Sequence, residues 1–380
     1  MSAYRIPFNR PSVVGEELNY VRGAIEGGHS AGDGPLTERC SEILSDWVGG
    51  GRVLLTTSCT HALEMSALLL GIEEGDEVIV PSFAFVTTAG AFALHGAKPV
   101  FVDVRPDTLN MDENQLREKI TDRTKAIIVL HYAGVACEMD AIEAISRETG
   151  VPIVEDNAHG LLGSYRGKPL GSFGCLATQS FHETKNFICG EGGALVVNDS
   201  AWVERAEILR EKGTNRSRFL RGQVDKYTWV DVGSSYLPSD ILAAFLLAQL
   251  ETRESIQRRR SEIWQRYDTE LALWAGAQGV GMPRIPEECV HPAHLFYMML
   301  PSEESRTRFI AHLAQRGILA VFHYQSLHVS EMGRKFGGFE GQCPVTEAVS
   351  DQLVRLPLYF GLTNAEQSDV IEAVLAFSTD

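Results

Sequence analysis

Residues 178–194 contain the side chain with the most distinctive chemistry in this chain, Lys185. It lies between a hydroxyl-bearing run that includes Ser180 and a glycine-rich turn at residues 190–193. A lysine amine is a nucleophile only when neutral, and desolvation or neighbouring cations lower its pKa toward that state. The neutral amine can hold a carbonyl compound as a Schiff base. A lysine beside glycines is also compatible with a solvated loop, so the interpretation depends on residues elsewhere.

Asp156 is the second residue with a chemical signature. It follows a predicted strand, residues 151–155, and opens the run Asp156-Asn157-Ala158-His159. The commonest carbonyl compound that enzymes hold on a lysine is pyridoxal 5′-phosphate (PLP), whose pyridine nitrogen works best when a carboxylate keeps it protonated. Lys185 and Asp156 together therefore predict a PLP site. The alternative is that Asp156 caps the turn that follows the strand.

The elements that must position these residues alternate between strands and helices of 10–15 residues. This alternation predicts right-handed crossovers and a mainly parallel sheet. Such sheets bind ligands beyond the carboxyl ends of their strands, and Ser58, Phe85 and Asp156 fall at predicted strand ends. The predicted strands are residues 52–57, 77–80, 99–104, 125–130 and 151–155, with helices ending near residues 70, 96 and 150.

A phosphate site is predicted where the first strand runs into a helix at Ser58, Cys59 and Thr60. The amino end of a helix offers free amides and a positive dipole end to a phosphate, although Ser and Thr are also ordinary N-cap residues. Ser180 can supply a further hydroxyl. Phe85 can stack on a cofactor ring, but a single aromatic residue after a strand is more often part of the core.

The remainder of the chain predicts a second, smaller α+β domain. A long helical stretch at residues 238–274 changes from apolar to charged at residues 251–260, where the boundary is placed. The predicted domains are residues 1–250 and 251–380. The second contains strands 294–300 and 317–323 around a helix at 303–316, and a last helix at 365–377. Near the amino terminus, helices are predicted at residues 12–27 and 37–48.

Composition limits the class of protein. The 380 residues are 44% hydrophobic and carry a formal net charge of −16, which argues against binding nucleic acid. The seven cysteines show no metal-ligand spacing and indicate a reduced, cytoplasmic protein. No signal peptide or membrane-spanning segment is apparent. A basic run at residues 209–221, which includes Arg216, would suit anionic substrate groups or be a solvated face.

With these residues in this order, the chain resembles the PLP-dependent sugar aminotransferases of the DegT/DnrJ/EryC1/StrS family. The most specific matching segments are residues 155–159, 180–186 and 190–194. The sequences at residues 182–186, 234–237 and 322–324 are similar to those of the branch that aminates C4 of dTDP-4-keto-6-deoxyglucose.

The resemblance implies the aspartate-aminotransferase-like fold, PLP fold type I, and a homodimer or a dimer of dimers with shared active sites. It implies that Lys185 holds the cofactor, Asp156 contacts the pyridine nitrogen, and Phe85 and His159 lie around the ring. Ser58, Cys59, Thr60 and Ser180 would hold the phosphate. The implied substrate residues are His182, Asn186, Arg216, His323 and Tyr324. Ser235 stands where relatives carry an asparagine that reaches the neighbouring subunit's cofactor phosphate.

The implied reaction uses L-glutamate as amino donor and a nucleotide-linked 4-keto sugar as acceptor. Three alternatives stay open: a 3-amino-forming transaminase, a PLP-dependent sugar dehydratase and a catalytically silent PLP-binding regulator. Dehydratases of this kind carry histidine in place of Lys185, which disfavours the second. The absence of a DNA-binding segment and the acidic charge disfavour the third. The configuration of the product at C4, galacto or gluco, and the arginine that takes the donor carboxylate are left open.

Overall fold

A seven-stranded sheet forms the centre of the fold in the computed structural model, which describes residues 4–379. Its order is β1-β9-β8-β5-β4-β2-β3, and every neighbouring pair is parallel except the two pairs that β9 makes. The strands of the described chain are β1 (Arg52–Thr56), β2 (Glu77–Pro81), β3 (Lys98–Val102), β4 (Thr124–Leu130), β5 (Ile153–Asp156), β6 (Ser164–Tyr165), β7 (Lys168–Pro169), β8 (Leu176–Ser180), β9 (Gly193–Val197), β10 (Cys289–Val290), β11 (Phe296–Met299) and β12 (Leu353–Leu356).

Helices cover both faces of this sheet, and others belong to a second core. The helices of the described chain are α1 (Glu17–Glu26), α2 (Pro35–Trp47), α3 (Cys59–Leu70), α4 (Val86–Ala93), α5 (Leu116–Lys119), α6 (Met139–Thr149), α7 (Val203–Arg210), α8 (Arg216–Leu220), α9 (Asp240–Glu251), α10 (Arg253–Gln278), α11 (Glu303–Gln315), α12 (Glu331–Lys335), α13 (Pro344–Gln352) and α14 (Asn364–Leu375). Because both faces are covered, β2 and β4 are apolar along most of their length. The predicted α/β class with a mostly parallel central sheet is confirmed.

Two helix predictions need correction. The first helix begins at Glu17 rather than residue 12, because the Glu17 carboxylate accepts hydrogen bonds from the amides of Val14 and Gly15 and holds them in a turn. The long helical stretch at 238–274 is two helices, α9 and α10. They are separated at Thr252, whose ψ of 14° departs from the helical value and ends one helix before the next begins.

A second core lies around α10, α11 and α14 and the pair of antiparallel strands β11 and β12. Ile6 is fully buried in this core, so the start of the described chain packs with its last third. The predicted strand at 317–323 is wrong: the segment makes only isolated bridges, from Ile318 to Ile6 and from Val321 to Arg355. The partner of β11 is β12, which was not predicted. The division into domains 1–250 and 251–380 stays a prediction.

No helix between residues 4 and 379 is long and apolar enough to cross a membrane. Within the same residues, the structure brings together no group of three or more His, Cys, Asp or Glu side chains that could hold a metal ion.

Candidate active site

The loop that carries Lys185 leaves the end of β8 and is pinned to the glycine turn that precedes β9. The amide of Phe181 donates to the carbonyl of Gly192 at 2.8 Å, and that of Glu183 to the carbonyl of Gly190 at 2.9 Å. A methyl group added at Gly193 would lie 2.4 Å from the amide nitrogen of Cys59. Glycine at this position therefore lets β9 pass directly against the start of α3, which brings Lys185 and the α3 amino end together.

Lys185 is half-buried and lies among groups that change the pKa of its amine. Burial is the main cause that lowers that pKa from its ordinary value to about 8; Cys59 and Asp156 act in the opposite direction, and the charge of Arg355 acts in the same direction as burial. A lysine with this pKa has a substantial neutral fraction near pH 8. The structure thus supplies the condition under which Lys185 can act as a nucleophile.

Asp156, at the carboxyl end of β5, is 4% exposed. Its Oδ2 accepts a hydrogen bond from the Thr88 hydroxyl at 2.7 Å, and its Oδ1 from the Ala158 amide at 3.2 Å. Among the described residues no cationic side chain lies within ion-pair distance of it. Burial raises the pKa of the carboxyl, opposed by the two hydrogen bonds and by Lys185. The site therefore contains a buried carboxylate that lacks a cationic partner.

The amino end of α3 lies beside this carboxylate and offers unused amides. The Ser58 hydroxyl caps the helix by accepting from the His61 amide at 3.1 Å, and the Ser58 carbonyl accepts from Ala62. The first amides of a helix have no partner inside it, so those of Cys59 and Thr60 are available to an anion. The Ser58 side chain acts as the N-cap through its oxygen, and its O–H is left to donate to an anion, so its role at a phosphate stays a prediction.

Three imidazoles and two phenols form a buried cluster next to Lys185. His159 stacks on His294 with ring centroids 4.3 Å apart and on His323 at 5.9 Å. The Tyr132 hydroxyl lies 3.0 Å from Nδ1 of His323, and Tyr324 lies 3.4 Å from Nε2 of His159. Burial lowers the pKa of all three histidines well below the ordinary value, so these rings are neutral near pH 7.

Asn186 and His182 use part of their hydrogen-bonding capacity within the protein. The Asn186 amide donates to the Pro292 carbonyl at 2.8 Å, and its oxygen lies 2.9 Å from Nδ1 of His294. Asn186 therefore holds the segment that places His294 against His159, and its contact with substrate stays a prediction. His182 is bonded to the Thr184 hydroxyl at 2.9 Å.

The basic residues of the run 209–221 form ion pairs with acidic residues of the same chain. Arg216 lies 3.2 Å from Glu211, and each of the other basic residues of the run has an acidic partner: Arg210 with Asp33, Lys212 with Glu211, Arg218 with Glu204 and Arg221 with Glu207. Within the described chain Arg216 makes no contact with the Lys185 cluster. Ser235 is exposed and bridges Glu211, and Phe85 is 55% exposed with its ring 6.2 Å from that of Tyr324.

Sequence reasoning missed four residues of the site, Thr88, Tyr132, His294 and Arg355. Arg355 carries the clearest sequence signal, since it is the one charged residue in the run Leu353-Val354-Arg355-Leu356. A charge inside an apolar strand usually needs a partner or a function. Thr88 and His294 carry no comparable signal, because each becomes a site residue only through its place in the fold.

A lysine with a lowered pKa, a buried carboxylate at a parallel strand end and a helix start with free amides define a PLP enzyme of fold type I. The chain belongs to the DegT/DnrJ/EryC1/StrS aminotransferase family, whose family model matches residues 11–375. It is accordingly a PLP-dependent sugar aminotransferase.

Individual relatives extend over nearly the whole chain. An uncharacterized protein of Methanocaldococcus jannaschii, MJ1066, is 33% identical over 376 residues, which are 97% of this chain and 96% of that protein. The aminotransferase TlmJ of Streptoalloteichus hindustanus is 32% identical, with a TM-score of 0.89 over 98% of both chains. Spr1654 of Streptococcus pneumoniae, solved in a PLP-form and a PMP-form, is 28% identical; its PMP-form has a TM-score of 0.90 over 97% of this chain and 98% of that one.

Proposed function

We propose that this enzyme transfers the amino group of L-glutamate to C4 of dTDP-4-keto-6-deoxyglucose, giving a dTDP-4-amino-4,6-dideoxyhexose. The observation that carries the proposal is that two segments whose sequences are similar to the C4-aminating branch lie side by side. Residues 182–186 carry Lys185, and residues 322–324 place His323 and Tyr324 against His159 beside it. The residues that carry the likeness to this branch thus lie beside the proposed nucleophile, which supports the proposal.

The residues present fit PLP. The free amides of Cys59 and Thr60, with the Ser180 hydroxyl at the end of β8, would receive the phosphate. Asp156 would pair with the protonated pyridine nitrogen and so gain the cationic partner that it lacks. His159 is buried with its Nδ1 unbonded, and it would lie against the ring or its hydroxyl.

Different residues of the chain would carry out different parts of the reaction. Bound PLP supplies a positively charged ring that stabilises negative charge on the carbon from which a proton leaves. Lys185, as a neutral amine, holds the cofactor and then takes that proton as a positioned general base. Thr88 fixes the orientation of the Asp156 carboxylate. The neutral imidazoles of His159 and His323 provide hydrogen-bonding groups without adding a charge that would oppose the pairing at Asp156.

The experiment that tests the proposal is a reaction with defined acceptors. The PLP-loaded protein is incubated with L-glutamate and either dTDP-4-keto-6-deoxyglucose or its 3-keto isomer, and the product is analysed by NMR. Amination at C4 supports the proposal, and the configuration at C4 identifies the galacto or gluco product. Amination of the 3-keto isomer alone, or loss of the C3 oxygen without amination, would contradict it in favour of the alternative reactions.

We also propose that the active enzyme is a homodimer or a dimer of dimers whose sites are shared. The segment around α8 exposes an apolar surface that a single copy leaves uncovered: Phe219, Leu220, Tyr227, Trp229, Val230 and Val232, with Trp229 78% exposed. A patch of this kind is typical of an interface between subunits. Ser235 is exposed near the same segment and is available to a partner's cofactor phosphate.

Sharing can be tested by mixing subunits. A charged hydrogen bond contributes about 1.5–3 kcal/mol, so Ser235→Ala should weaken PLP affinity roughly tenfold to a hundredfold while activity at saturating PLP stays near normal. Mixing Lys185→Ala and Ser235→Ala proteins should produce heterodimers with one fully native site. Restoration of high-affinity PLP binding after demonstrated subunit exchange supports a shared site. A lack of restoration would mean that Ser235 serves only its own subunit.

A further inference from the structure

The segment between β10 and β11, residues 291–294, is held in place by a buried arginine. Arg260 of α10 is 3% exposed, and it donates from Nε to the Ala293 carbonyl at 3.2 Å and from Nη2 to the His294 carbonyl. Burial lowers the pKa of its guanidinium to about 9, because no carboxylate among residues 4–379 offsets the loss of water. Ala293 has a φ of 50°, in the left-handed region that costs free energy for a residue other than glycine. A buried cation and a strained backbone thus both serve the conformation of this segment.

The same segment is tied to the lysine-bearing loop through Asn186. The Asn186 amide group donates to the Pro292 carbonyl at 2.8 Å, and a carbonyl can only accept, so the amide oxygen faces Nδ1 of His294 at 2.9 Å. Nδ1 of His294 therefore carries the proton and donates it. Pro292 also packs closely on Gly134, where an added methyl group would lie 2.4 Å from the proline ring and 2.8 Å from the His159 carbonyl. His294 is thus anchored through its backbone, its ring and the residues that precede it.

His159 has much weaker anchors. Among the described residues its buried Nδ1 has no hydrogen-bond partner, and its Nε2 makes one long contact, 3.4 Å from the Tyr324 hydroxyl. The position of the ring therefore depends on packing. The closest ring in the described chain is His294, with centroids 4.3 Å apart and planes inclined by 25°, whereas Tyr132 and His323 lie 5.9 Å away. Burial keeps both stacked imidazoles neutral by lowering their pKa values, so no charge repulsion opposes the stack.

We propose that His294 is a positioning residue, which by stacking on His159 fixes the place of that ring against the cofactor. Arg260 and Asn186 contribute by fixing His294. The inference rests on the proposed placement of His159 beside PLP, and it does not depend on the identity of the acceptor sugar. It also gives a reason for two features that the reaction itself does not need: a buried arginine bonded to two backbone carbonyls, and an asparagine beside the proposed nucleophile that reaches a segment distant in the chain.

The test measures the PLP affinity of the apoprotein and the pH dependence of the absorbance of bound PLP. His294→Leu fills a similar volume but lacks an aromatic face, so it should weaken PLP binding roughly 2- to 10-fold, the range that a stacked ring pair contributes. It should also shift the pH midpoint of the absorbance change in the same direction as His159→Leu does. His294→Phe restores a ring and should recover part of the affinity. In the double variant the second substitution should have almost no further effect, because no ring is left to position.

Arg260→Gln tests the same route from its far end. It removes the charged hold on the two carbonyls, so it should weaken PLP binding in the wild-type background and change it less than about twofold in His294→Leu, through which it acts. Arg260→Lys keeps the charge and one donor and should recover part of the affinity. Circular dichroism establishes that each variant is folded, and the Arg260 variants decide the question where His294→Leu does not fold.

His312 supplies a matched control in the second core, where it packs on Phe377 with ring centroids 5.2 Å apart and lies 2.8 Å from the Ala373 carbonyl. His312→Leu should keep the wild-type PLP affinity and absorbance midpoint, whatever its effect on stability. If His159→Leu weakens PLP binding and His294→Leu does not, the inference is wrong while the placement of His159 stands. If His159→Leu binds PLP as wild type does, both are overturned. Failure to aminate the C4 acceptor would overturn the proposed substrate alone.

Discussion

Two carboxylates occupy neighbouring positions at the end of β5 and face opposite sides of the sheet. Glu155 has a complete set of partners. Its two oxygens accept three backbone amides of the loop 171–174 at 2.7–2.8 Å, and Oε2 lies 3.0 Å from Nε2 of His131. Nδ1 of His131 accepts from the Cys137 amide, so its proton is on Nε2 and is donated to Glu155.

Asp156 has only two hydrogen-bond donors among the described residues, the Thr88 hydroxyl and the Ala158 amide. Both carboxylates are buried to a similar degree, with exposed fractions of 0% and 4%. The difference lies in what surrounds them, because one side of the sheet supplies donors from its own loop and the other is left for a ligand. A buried acid with full partners stabilises the fold, whereas one with too few marks a site where binding supplies the rest.

The largest effect is expected at Lys185, the proposed nucleophile, which lies near Asp156 in the loop after β8. Lys185→Ala should abolish transamination and covalent cofactor attachment, because no other group can form the covalent link at that place. Absorbance of the bound cofactor and product formation are the measurements. Lys168→Ala, which removes a surface lysine paired with Glu143, is the control and should behave as wild type. Turnover at the wild-type rate in Lys185→Ala would overturn the assignment of the site.

Asp156→Asn should reduce the rate by about 1,000-fold, about 4 kcal/mol of barrier, because an amide cannot stabilise a protonated pyridine nitrogen. The same substitution should stabilise the apoprotein at pH 7. The folded-state pKa of Asp156 is raised, so keeping it ionised destabilises the fold increasingly as pH rises above its unfolded pKa. Denaturant unfolding against pH measures this. A rate within about twofold of wild type, under 0.5 kcal/mol, would make Asp156 a turn cap.

Glu155→Gln should lower stability much more than activity, which is the opposite of the effect expected for Asp156→Asn. An NH₂ group in place of one oxygen faces backbone donors, and the hydrogen bond that Nε2 of His131 donates to the carboxylate is weakened or lost, which should cost about 3 kcal/mol of unfolding free energy. The activity of the PLP-loaded, folded fraction should change only a few-fold. Urea unfolding of the apoprotein, with an unchanged m-value, is the measurement. An unfolding free energy within about 0.5 kcal/mol of wild type would contradict the structural role assigned to Glu155.

The smallest effect concerns the protonation of Lys185. Because its pKa is lowered to about 8, the rate of PLP attachment to the apoprotein should rise about tenfold per pH unit up to that value and then level off. The neutral amine is the reactive form, so the rate must increase as pH rises. Stopped-flow absorbance from pH 6 to 10 measures it. A rate that keeps rising to pH 10 would indicate an ordinary solvated lysine.

Much of this architecture was predictable because the signals are local. Strand and helix periodicities located β1 to β5 and α3, and the side chains at their ends followed from parallel topology alone. Lys185 and Asp156 were found because their residue types and surroundings are unusual for a loop and a turn. The β9 strand was missed because its start, Gly192-Gly193, reads as part of a turn.

The sequence by itself determined the class of fold and singled out the proposed nucleophile and its carboxylate partner, since each depends on a short run of residues. Only the tertiary structure decided which polar groups remain unused. Asn186 bonds to the protein through both its amide nitrogen and its oxygen, while the buried Asp156 carboxylate has no cationic partner among the described residues. That distinction depends on partners distant in the chain, such as Thr88 for Asp156 and Pro292 for Asn186, and residue type alone does not encode it.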